Sequence, residues 1–241
     1  MIERAARILR ALEGNADGLS LSQIAERVGL ARSTVHRLVT ALEAERFVAA
    51  ASPNGRVRLG PGLATLAGAA RGDVRDEIHP FLTRLSREIH ETVDLAVLEH
   101  DHVRFIDQVA APRRLRAVSA VGAVFPAHCT ANGKALLSML PRDQVLHLLP
   151  PQLERHTEST ITDRDELLAE LDRVRAEGVA YDREEHTIGI CAVGAVVVDP
   201  GGTRVAVTIP LPSQRFYGNE RKLAEALVAT CDEITRALGS A

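Results

Sequence analysis

The feature that most constrains this fold is an apolar spacing repeated three times near the N-terminus. In each stretch apolar residues recur at i, i+3, i+4 and i+7, which places them along one face of an α-helix. The three stripes are Ala5, Ile8, Leu9 and Leu12; Leu21, Ile24, Ala25 and Val28; and Val35, Leu38, Val39 and Leu42. Only residues 29–31 separate the second stretch from the third, which suits a tight helix–helix turn. The pattern therefore predicts a helix-turn-helix, an arrangement that reads DNA.

Local signals at the helix ends support this arrangement. Ser20 followed by Gln23 is a capping-box pattern for the start of the second helix, and Gly29 suits its end. The third helix is predicted over about 32–45. Opposite its apolar stripe it carries groups that can donate hydrogen bonds to bases or phosphates, namely Arg32, Ser33, Thr34, His36, Arg37 and Thr40. We predict that this is the recognition helix.

A hairpin is predicted directly after the third helix. Two short runs, 47–49 and 56–59, flank Asn54-Gly55, which is a strong hairpin-turn signal. Alternation along the second run places Arg56 and Arg58 together on one face, where they can contact phosphates or the minor groove. The pattern favours a winged helix-turn-helix. The alternative is a purely structural three-helix bundle with solvated arginines.

Length and charge indicate two modules. A chain of 241 residues suits two domains. Residues 1–75 contain 11 Arg, no Lys and seven acidic residues, whereas the remainder contains 18 basic and 25 acidic residues. A basic module on an acidic body is typical of a phosphate-facing head carried by a second domain. We predict a DNA-binding domain over 1–60, a linker helix over 61–75 and a second domain over 76–241.

Composition also bounds where such a chain acts. It has no apolar run of about 18 residues and no basic-then-apolar start typical of a secretory signal. Its three cysteines, Cys129, Cys191 and Cys231, are scattered and odd in number, which fits a reducing compartment. We expect a cytoplasmic protein that associates with the nucleoid when it is bound to DNA and has no membrane partner.

The second domain is predicted to be α+β. After a helix over 73–90 the apolar period changes to that of strands, and strands then alternate with helices. Strands are predicted over 92–98, 103–109, 179–181, 190–198 and 204–209, and helices over 134–140, 142–149, 164–177 and 219–238. Hairpin connections between strands favour an antiparallel sheet.

Several segments in this order resemble the IclR family of bacterial transcriptional regulators over essentially the whole chain. They are LSQIAERVGL (21–30), STVHRL (33–38), RLG (58–60), FPAHCTANGKALL (125–137), TIT (160–162) and DREE (182–185) with Gly189. The resemblance implies a winged helix-turn-helix, a linker helix and a GAF-like effector domain, assembled as a homodimer or homotetramer. It implies that the chain is not an enzyme but a repressor of a catabolic or metabolic operon. The repressor would bind double-stranded operator DNA and be controlled by a small organic acid or related metabolite.

The resemblance also assigns an effector pocket. Backbone N–H groups of Ala131 and Asn132, at the start of a helix, would hold a carboxylate. The remaining assigned positions are Asp182, an apolar wall of Ala117 and Phe125, and the strand positions Cys191, Ala192 and Thr208. Ala192, Thr208 and Pro210 depart from the family pattern, which often has Cys and Ser there. These departures reduce the polar groups available to a small acid and leave room for a larger or less polar effector.

Other chemistries are weighed against this assignment. Cys129 beside His128 suggests a nucleophile, but neighbours on an extended backbone point to opposite sides, so a buried structural cysteine is favoured and no catalytic residue is predicted. His128, Cys129, His186 and Cys191 lack the short spacings typical of metal ligands. We therefore predict no metal and no cofactor, and keep a metal- or thiol-sensing regulator of the same fold as the alternative.

Two charged clusters and one glycine motif complete the candidates. Gly133-Lys134 is not a phosphate-binding loop, because position 128 is not Gly and no Ser or Thr follows Lys134. Arg113, Arg114 and Arg116 are expected in a solvated loop, with a carboxylate contact at the pocket mouth as the alternative. Asp182, Glu184 and Glu185 are expected as polar groups of a loop and of the pocket.

Overall fold

A computed structural model describes residues 1–15, 17–50, 55–63, 74–117 and 119–239. The chain divides into two compact units, 1–72 and 73–241. The linker helix predicted over 61–75 falls largely on residues 64–73, which lie outside the described residues. Among the described residues no helix combines the length and the apolar character needed to cross a membrane.

The first unit consists of three helices and a two-stranded antiparallel sheet. The helices are α1 (Ile2–Ala11), α2 (Leu21–Val28) and α3 (Arg32–Ala44), followed by β1 (Val48–Ala50) and β2 (Val57–Leu59). The predicted capping box is confirmed, because Gln23 N–H donates to Ser20 Oγ at 3.3 Å and Ser20 N–H donates to Gln23 Oε1 at 2.9 Å. The helix-turn-helix and the hairpin therefore form where the sequence predicts them.

The three apolar stripes meet in one small core. Ile8, Leu12, Ile24, Val28, Val35, Val39 and Leu42 are all buried there. Two arginines tie the helices together at their ends. Arg7 donates to the carbonyl of Val28 and Arg27 donates to the carbonyl of Ala11 at 3.1 Å, so each guanidinium satisfies a carbonyl at a helix end. Part of the basic excess of this unit thus stabilises the helix packing.

The second unit is built on a six-stranded antiparallel sheet in the order β5-β4-β3-β8-β7-β6. Its strands are β3 (Val93–Glu99), β4 (His102–Val109), β5 (Val124–Pro126), β6 (Ala180–Arg183), β7 (Ile190–Val198) and β8 (Arg204–Pro212). Its helices are α4 (Val74–Ile89), α5 (Ala131–Ser138), α6 (Arg142–Leu148), α7 (Arg164–Glu177), α8 (Ser213–Phe216) and α9 (Glu220–Gly239). The predicted α+β class with an antiparallel sheet is confirmed.

The structure corrects several predicted boundaries. Strand β5 and the short helix α8 were not predicted, and α5 begins at Ala131, three residues before the predicted start. Strand β8 continues three residues beyond the predicted end at 209, through Pro210 and Pro212. This continuation is possible because β3 pairs only with residues 206–208 of β8, so the two prolines pair with β7 alone and leave no ladder bond unmade on the other side.

The sheet separates two helical layers, and strand alternation decides which layer each side chain faces. Along β7, Cys191, Val193, Ala195 and Val197 lie in the core formed with α4 and α9. Along β8, Val205, Val207, Ile209 and Leu211 join the same core. The intervening residues, such as Ala192 and Thr208, therefore face the layer that contains α5. The ligand cavity described below lies on this second face.

Candidate DNA-binding surface and ligand cavity

Helix α3 presents a polar and basic face to solvent. Four of its predicted DNA-contacting residues are exposed, namely Arg32, Ser33, His36 and Arg37. A fifth, Thr34, is half-buried. Among the residues that the structure describes, no side chain caps the start of the helix, so its first N–H groups are open to a phosphate. The hydroxyl of Thr40 donates to the carbonyl of His36 at 3.0 Å and is used within the helix. The exposed face has the chemistry of a recognition helix.

The predicted wing places its two arginines differently. Arg58 is exposed and Arg56 is half-buried, while Val57 between them is buried and pairs with Leu19 through two backbone hydrogen bonds of 2.8 Å. Leu59, the next residue on the same side of the strand as Val57, is 38% exposed. The turn residue Asn54 lies outside the described residues. The hairpin therefore carries cationic groups beside the recognition helix within the same unit.

The second unit contains a ligand cavity of about 240 Å³ between the sheet and the start of α5. Its lining combines an apolar wall with buried polar groups. The lining residues include Asp94, Phe105, Arg116, Ala117, Ser119, Phe125, Thr130, Ala131, Asn132, Asp182, His186, Ile190, Ala192, Thr208 and Pro210. A mostly apolar concavity with a few convergent polar groups is typical of a small-molecule site.

Cross-strand pairing positions the polar floor of the ligand cavity. Thr208 is paired with Asp94 on one side and with Gly194 on the other. In the neighbouring row, Ala192 is paired with Asp182 and with Pro210. Residues paired across antiparallel strands share a face, so four strands deliver these side chains to one place although they are far apart in sequence.

Two glycines allow close backbone approach at the start of α5, Gly194 from the sheet and Gly133 against the preceding turn. A Cβ at Gly194 would lie 2.8 Å from the backbone of Ala131, and a Cβ at Gly133 would lie 2.2 Å from the carbonyl oxygen of Ala127. Neither contact is possible for a larger residue, so both positions require glycine for close backbone approach. The N-terminus of α5, with Ala131 and Asn132 in its first turn, therefore opens into the ligand cavity.

Two polar groups in the ligand cavity lack protein partners. Among the described residues, neither Asn132 Nδ2 nor Thr208 Oγ1 has a hydrogen-bond partner, although both atoms are buried. Leaving a buried donor unsatisfied costs about 1–3 kcal/mol. Together with the start of α5 they form a set of hydrogen-bonding groups that a ligand can satisfy.

The two buried carboxyl groups of the ligand cavity have raised pKa values. Asp94 accepts hydrogen bonds from Ser119 Oγ and, at 2.8 Å, from Gln108 Nε2, yet burial raises its pKa to about 6. Asp182 accepts from the Glu185 N–H at 2.7 Å, and burial together with the charge of Glu185 raises its pKa to about 7. Both carboxyl groups therefore change protonation near neutral pH.

A buried ion network includes Glu185, whose backbone N–H donates to Asp182. Lys134 is fully buried, and its Nζ lies 2.5 Å from Glu185 Oε1 and 3.2 Å from Glu170 Oε1. The ammonium group compensates the buried carboxylate of Glu185, which has no other cationic partner among the described residues, and shares Glu170 with Arg173. Because Lys134 belongs to α5 and Glu185 follows β6, this network fixes the helix against the strand that carries Asp182.

Seven of the eight predicted effector residues line the ligand cavity: Ala117, Phe125, Ala131, Asn132, Asp182, Ala192 and Thr208. Cys191, the eighth, is fully buried on the opposite face of β7, among the residues that pack on α4 and α9. The expectation that Cys191 lines this site is corrected by strand alternation, since Cys191 and Ala192 are neighbours and cannot face the same side.

Several lining residues were not predicted as site residues. The most informative is Asp94, a carboxyl group in the apolar strand Val93–Glu99. An acid in the buried first half of an apolar strand was a signal that could have identified it. Ser119 and Phe105 carried no such signal, because they reach the cavity only through their places in the fold.

Arg116, exposed at the edge of the cavity, matches the alternative of a cation at the pocket mouth. Arg114 is exposed, and Arg113 donates to the His90 carbonyl at 2.8 Å.

The structure regroups the residues considered for a metal. His128 and Cys129 lie in a turn, not on extended backbone as expected, so their side chains are able to converge. They come together with His156, and one ligand atom from each of the three lies within 4.8 Å of the others. The other two candidates are elsewhere: Cys191 faces the other layer, and His186 lines the ligand cavity.

Comparison with known proteins assigns both units to one family. The model of the IclR helix-turn-helix domain matches residues 1–51, and the model of the bacterial transcriptional regulator IclR C-terminal matches residues 67–236. Among solved structures, the Thermotoga maritima IclR superposes with a TM-score of 0.64 at 28% identity, over 99% of this chain and 98% of that one.

Similar sequences carry the same assignment. The HTH-type transcriptional regulator Rv1719 of Mycobacterium tuberculosis is 53% identical over 97% of this chain and 90% of its own length. TtgV of Pseudomonas putida is 39% identical over 100% and 92%, and the HTH-type transcriptional repressor AllR of Escherichia coli is 31% identical over 99% and 90%. These relatives are regulators and not enzymes. The chain belongs to the IclR family of bacterial transcriptional regulators.

Proposed function

We propose that this chain is a repressor whose operator affinity is controlled by a small organic acid bound in the ligand cavity. The observation that carries the proposal is the pair of unsatisfied groups, Asn132 Nδ2 and Thr208 Oγ1, which are buried in the ligand cavity beside the open start of α5. A carboxylate is a suitable partner for donors at a helix N-terminus. Repression is inferred from relatives such as AllR, which is named a repressor.

The size and wall of the ligand cavity define the rest of the effector. An apolar cavity of about 150 Å³ holds one benzene ring, so 240 Å³ suits a ligand with a single ring or a short branched chain. Phe105 and Phe125 pack edge to face, with centroids 5.1 Å apart, and line the wall together with Ile190. We infer an effector with one acidic group and one compact apolar body.

The raised pKa values of Asp94 and Asp182 allow an acid to bind beside them. A protonated carboxyl group donates a hydrogen bond and does not repel an anion. With pKa values of about 6 and about 7, neutralising both groups at cytoplasmic pH requires little free energy. We infer that an anionic effector binds together with protons.

Regulation requires only that the effector bind the DNA-free and DNA-bound protein unequally. We propose a homodimer or homotetramer in which paired recognition helices contact a palindromic operator, with Arg32, Ser33, Thr34, His36 and Arg37 of α3 and Arg56 and Arg58 of β2 as the contact residues. Action on operator DNA places the protein in the cytoplasm, at the nucleoid when bound. The proposed domain limits remain 1–60, 61–75 and 76–241.

The second candidate is a regulator of the same fold that senses a metal or a thiol reagent. Reactive-thiol sensing is disfavoured, because burial and nearby carboxylates raise the pKa of the Cys129 thiol to about 12 and keep it from forming the reactive thiolate. A metal is favoured by the cluster of His128, Cys129 and His156.

The test is binding of the full chain to its own promoter DNA, measured with and without a panel of aliphatic and aromatic acids. We expect specific binding that one class of acid weakens. Thr208→Val removes one unsatisfied hydroxyl at nearly constant shape and should weaken that acid about tenfold while leaving DNA affinity unchanged. Cys191→Ala, on the opposite sheet face, is the matched control and should respond as the parent protein does.

Three results would count against the proposal. Specific DNA binding that no acid weakens would contradict control by an organic acid. DNA binding without sequence preference would contradict recognition of a specific operator. An equal loss of response in Thr208→Val and Cys191→Ala would show that the response does not depend on the ligand cavity.

A further inference from the structure

A second group of chemically competent side chains lies near the ligand cavity but does not line it. It consists of His128 and Cys129, in the turn that precedes α5, and His156, in the loop between α6 and α7. One nitrogen from each histidine and the sulfur of the cysteine all lie within 4.8 Å of one another. We call these three residues the His-Cys cluster.

The first histidine is oriented by the backbone. Nε2 of His128 is 2.9 Å from the carbonyl oxygen of Glu154, so this nitrogen carries the proton in the neutral ring. The other nitrogen, Nδ1, then has its lone pair available for a metal. A carbonyl that fixes the ring and tautomer of a histidine is the usual support of a metal ligand.

The second histidine has an unused buried nitrogen. His156 Nε2 is buried and, among the described residues, has no hydrogen-bond partner. A buried ring nitrogen without a partner has lost its hydrogen bonds to water, and no other interaction offsets this desolvation cost. A metal ion at the centre of the His-Cys cluster would provide the missing partner.

The cysteine completes the donor set. Cys129 is fully buried, and its thiol lies 3.9 Å from the Pro126 carbonyl oxygen, which is a long contact. Two imidazole nitrogens and one thiolate are a set that suits Zn²⁺, which takes four tetrahedral ligands and often keeps one position for water.

We propose that His128, Cys129 and His156 bind one Zn²⁺ ion, with water or a donor from a small ligand in the fourth position. Binding forms one Zn–S bond and two Zn–N bonds, and the proton of the Cys129 thiol passes to solvent. No oxidation or reduction takes place.

The position of the His-Cys cluster gives the ion a role in shaping the ligand cavity. Cys129 is followed by Thr130 and Ala131, both of which line the cavity. The ring of His156 also lies 5.4 Å from that of His186, which stacks on Phe125 at 4.4 Å, and both of these residues line the cavity. Bound Zn²⁺ would therefore fix the turn before α5 and the adjoining aromatic wall.

The test uses the purified full chain, stripped with a chelator and titrated with Co²⁺ alone as a spectroscopic substitute for Zn²⁺. We expect one equivalent to give intense visible d–d bands of a tetrahedral ion and a thiolate-to-cobalt charge-transfer band. Addition of one equivalent of Zn²⁺ should remove both. Weak octahedral bands without charge transfer would overturn the proposal.

Variants identify the ligands. Cys129→Ser should abolish the charge-transfer band, and His156→Gln, at a less buried position, should weaken metal affinity by at least about 100-fold. Cys191→Ala is the matched control and should leave both bands intact. Charge transfer that persists in Cys129→Ser, or affinity unchanged in His156→Gln, would overturn the assignment. The readout contains neither DNA nor effector, so its outcome is independent of the proposed regulatory function.

Discussion

The two units of this protein place their functional polar groups in opposite environments. In the first unit, Arg32 and Arg37 extend from the exposed face of a helix whose other face forms the core. In the second unit, Asp94, Asp182 and Asn132 are each at least 95% buried beneath a helix or within a sheet. Exposed cations act at a distance and are screened by salt, whereas buried groups act through desolvation and are sensitive to pH.

This difference predicts how mutations behave. A residue of the exposed face can change without disturbing the core, so DNA affinity should separate from stability. A residue of the buried site also holds neighbouring elements together, so effector response and stability should change together. Substitutions in the two units test this contrast, and the largest effect is expected at the buried site.

Lys134→Met should destabilise the second unit by about 3–5 kcal/mol, because it leaves the buried Glu185 without its counter-charge, while Glu170 keeps Arg173. Chemical denaturation monitored by circular dichroism measures this loss. Effector binding should be lost as well, since the network fixes α5 against β6. Lys222→Met is the matched control, because Lys222 is exposed on α9 and its loss should cost little. Equal stability of the two variants would contradict a structural role for the buried network.

The same contrast explains how far the sequence predicted the fold. The three stripes of the first unit follow a helical period and belong to contiguous segments, so their helices, the capping box at Ser20 and the hairpin were all predictable. In the second unit, helix and strand types were largely predictable, but β5 was missed. That strand is three residues long and is held by its pairing with β4, which is a tertiary contact and leaves no periodic signal.

The site was predictable in part. The segment around Ala131 and Asn132 and the residue Asp182 were found by resemblance, while Asp94 was not. Asp94 joins the site only because β3 pairs with β8, which places Asp94 opposite Thr208. The sequence of one strand does not specify which distant strand it pairs with. Cys191 is the opposite case, a residue that was wrongly assigned to the site. Alternation along β7 could have excluded it without a structure, since Ala192 was already assigned to the cavity.

Arg37→Ala should weaken operator binding by about 1–3 kcal/mol if the guanidinium contacts a base, with no change in thermal stability. Competition binding against single-base variants of the operator would show relaxed preference at one position. Arg10→Ala provides the control, because Arg10 is an exposed arginine of the same unit on α1. Unchanged operator affinity in Arg37→Ala would remove this residue from the interface.

Asp182→Asn should reduce the pH dependence of effector binding to the part that Asp94 contributes. The pKa of Asp182 is raised to about 7, so the group is largely neutral at pH 6 and charged at pH 8. For an anionic effector, affinity in the parent protein should therefore fall as pH rises through 7, by up to about tenfold per unit for each of the two carboxyl groups that takes up a proton. Calorimetric titration from pH 6 to pH 8 measures this, and operator affinity without effector should stay intact. A parent protein whose affinity rises with pH would contradict an anionic effector.

Arg56→Ala should give the smallest effect and the one that best distinguishes the two units. A cation of the wing that contacts a phosphate lowers affinity for all sequences alike when it is removed, and it reduces the dependence of log affinity on log salt by about one. The expected loss is a few-fold, and it should vanish at high salt, because screening already removes the contribution of an exposed charge. Asp182→Asn should leave this salt dependence unchanged, since a buried carboxyl group of the other unit makes no contact with phosphate. An unaltered slope in Arg56→Ala would exclude this side chain from the DNA surface and confine recognition within the first unit to α3 and Arg58.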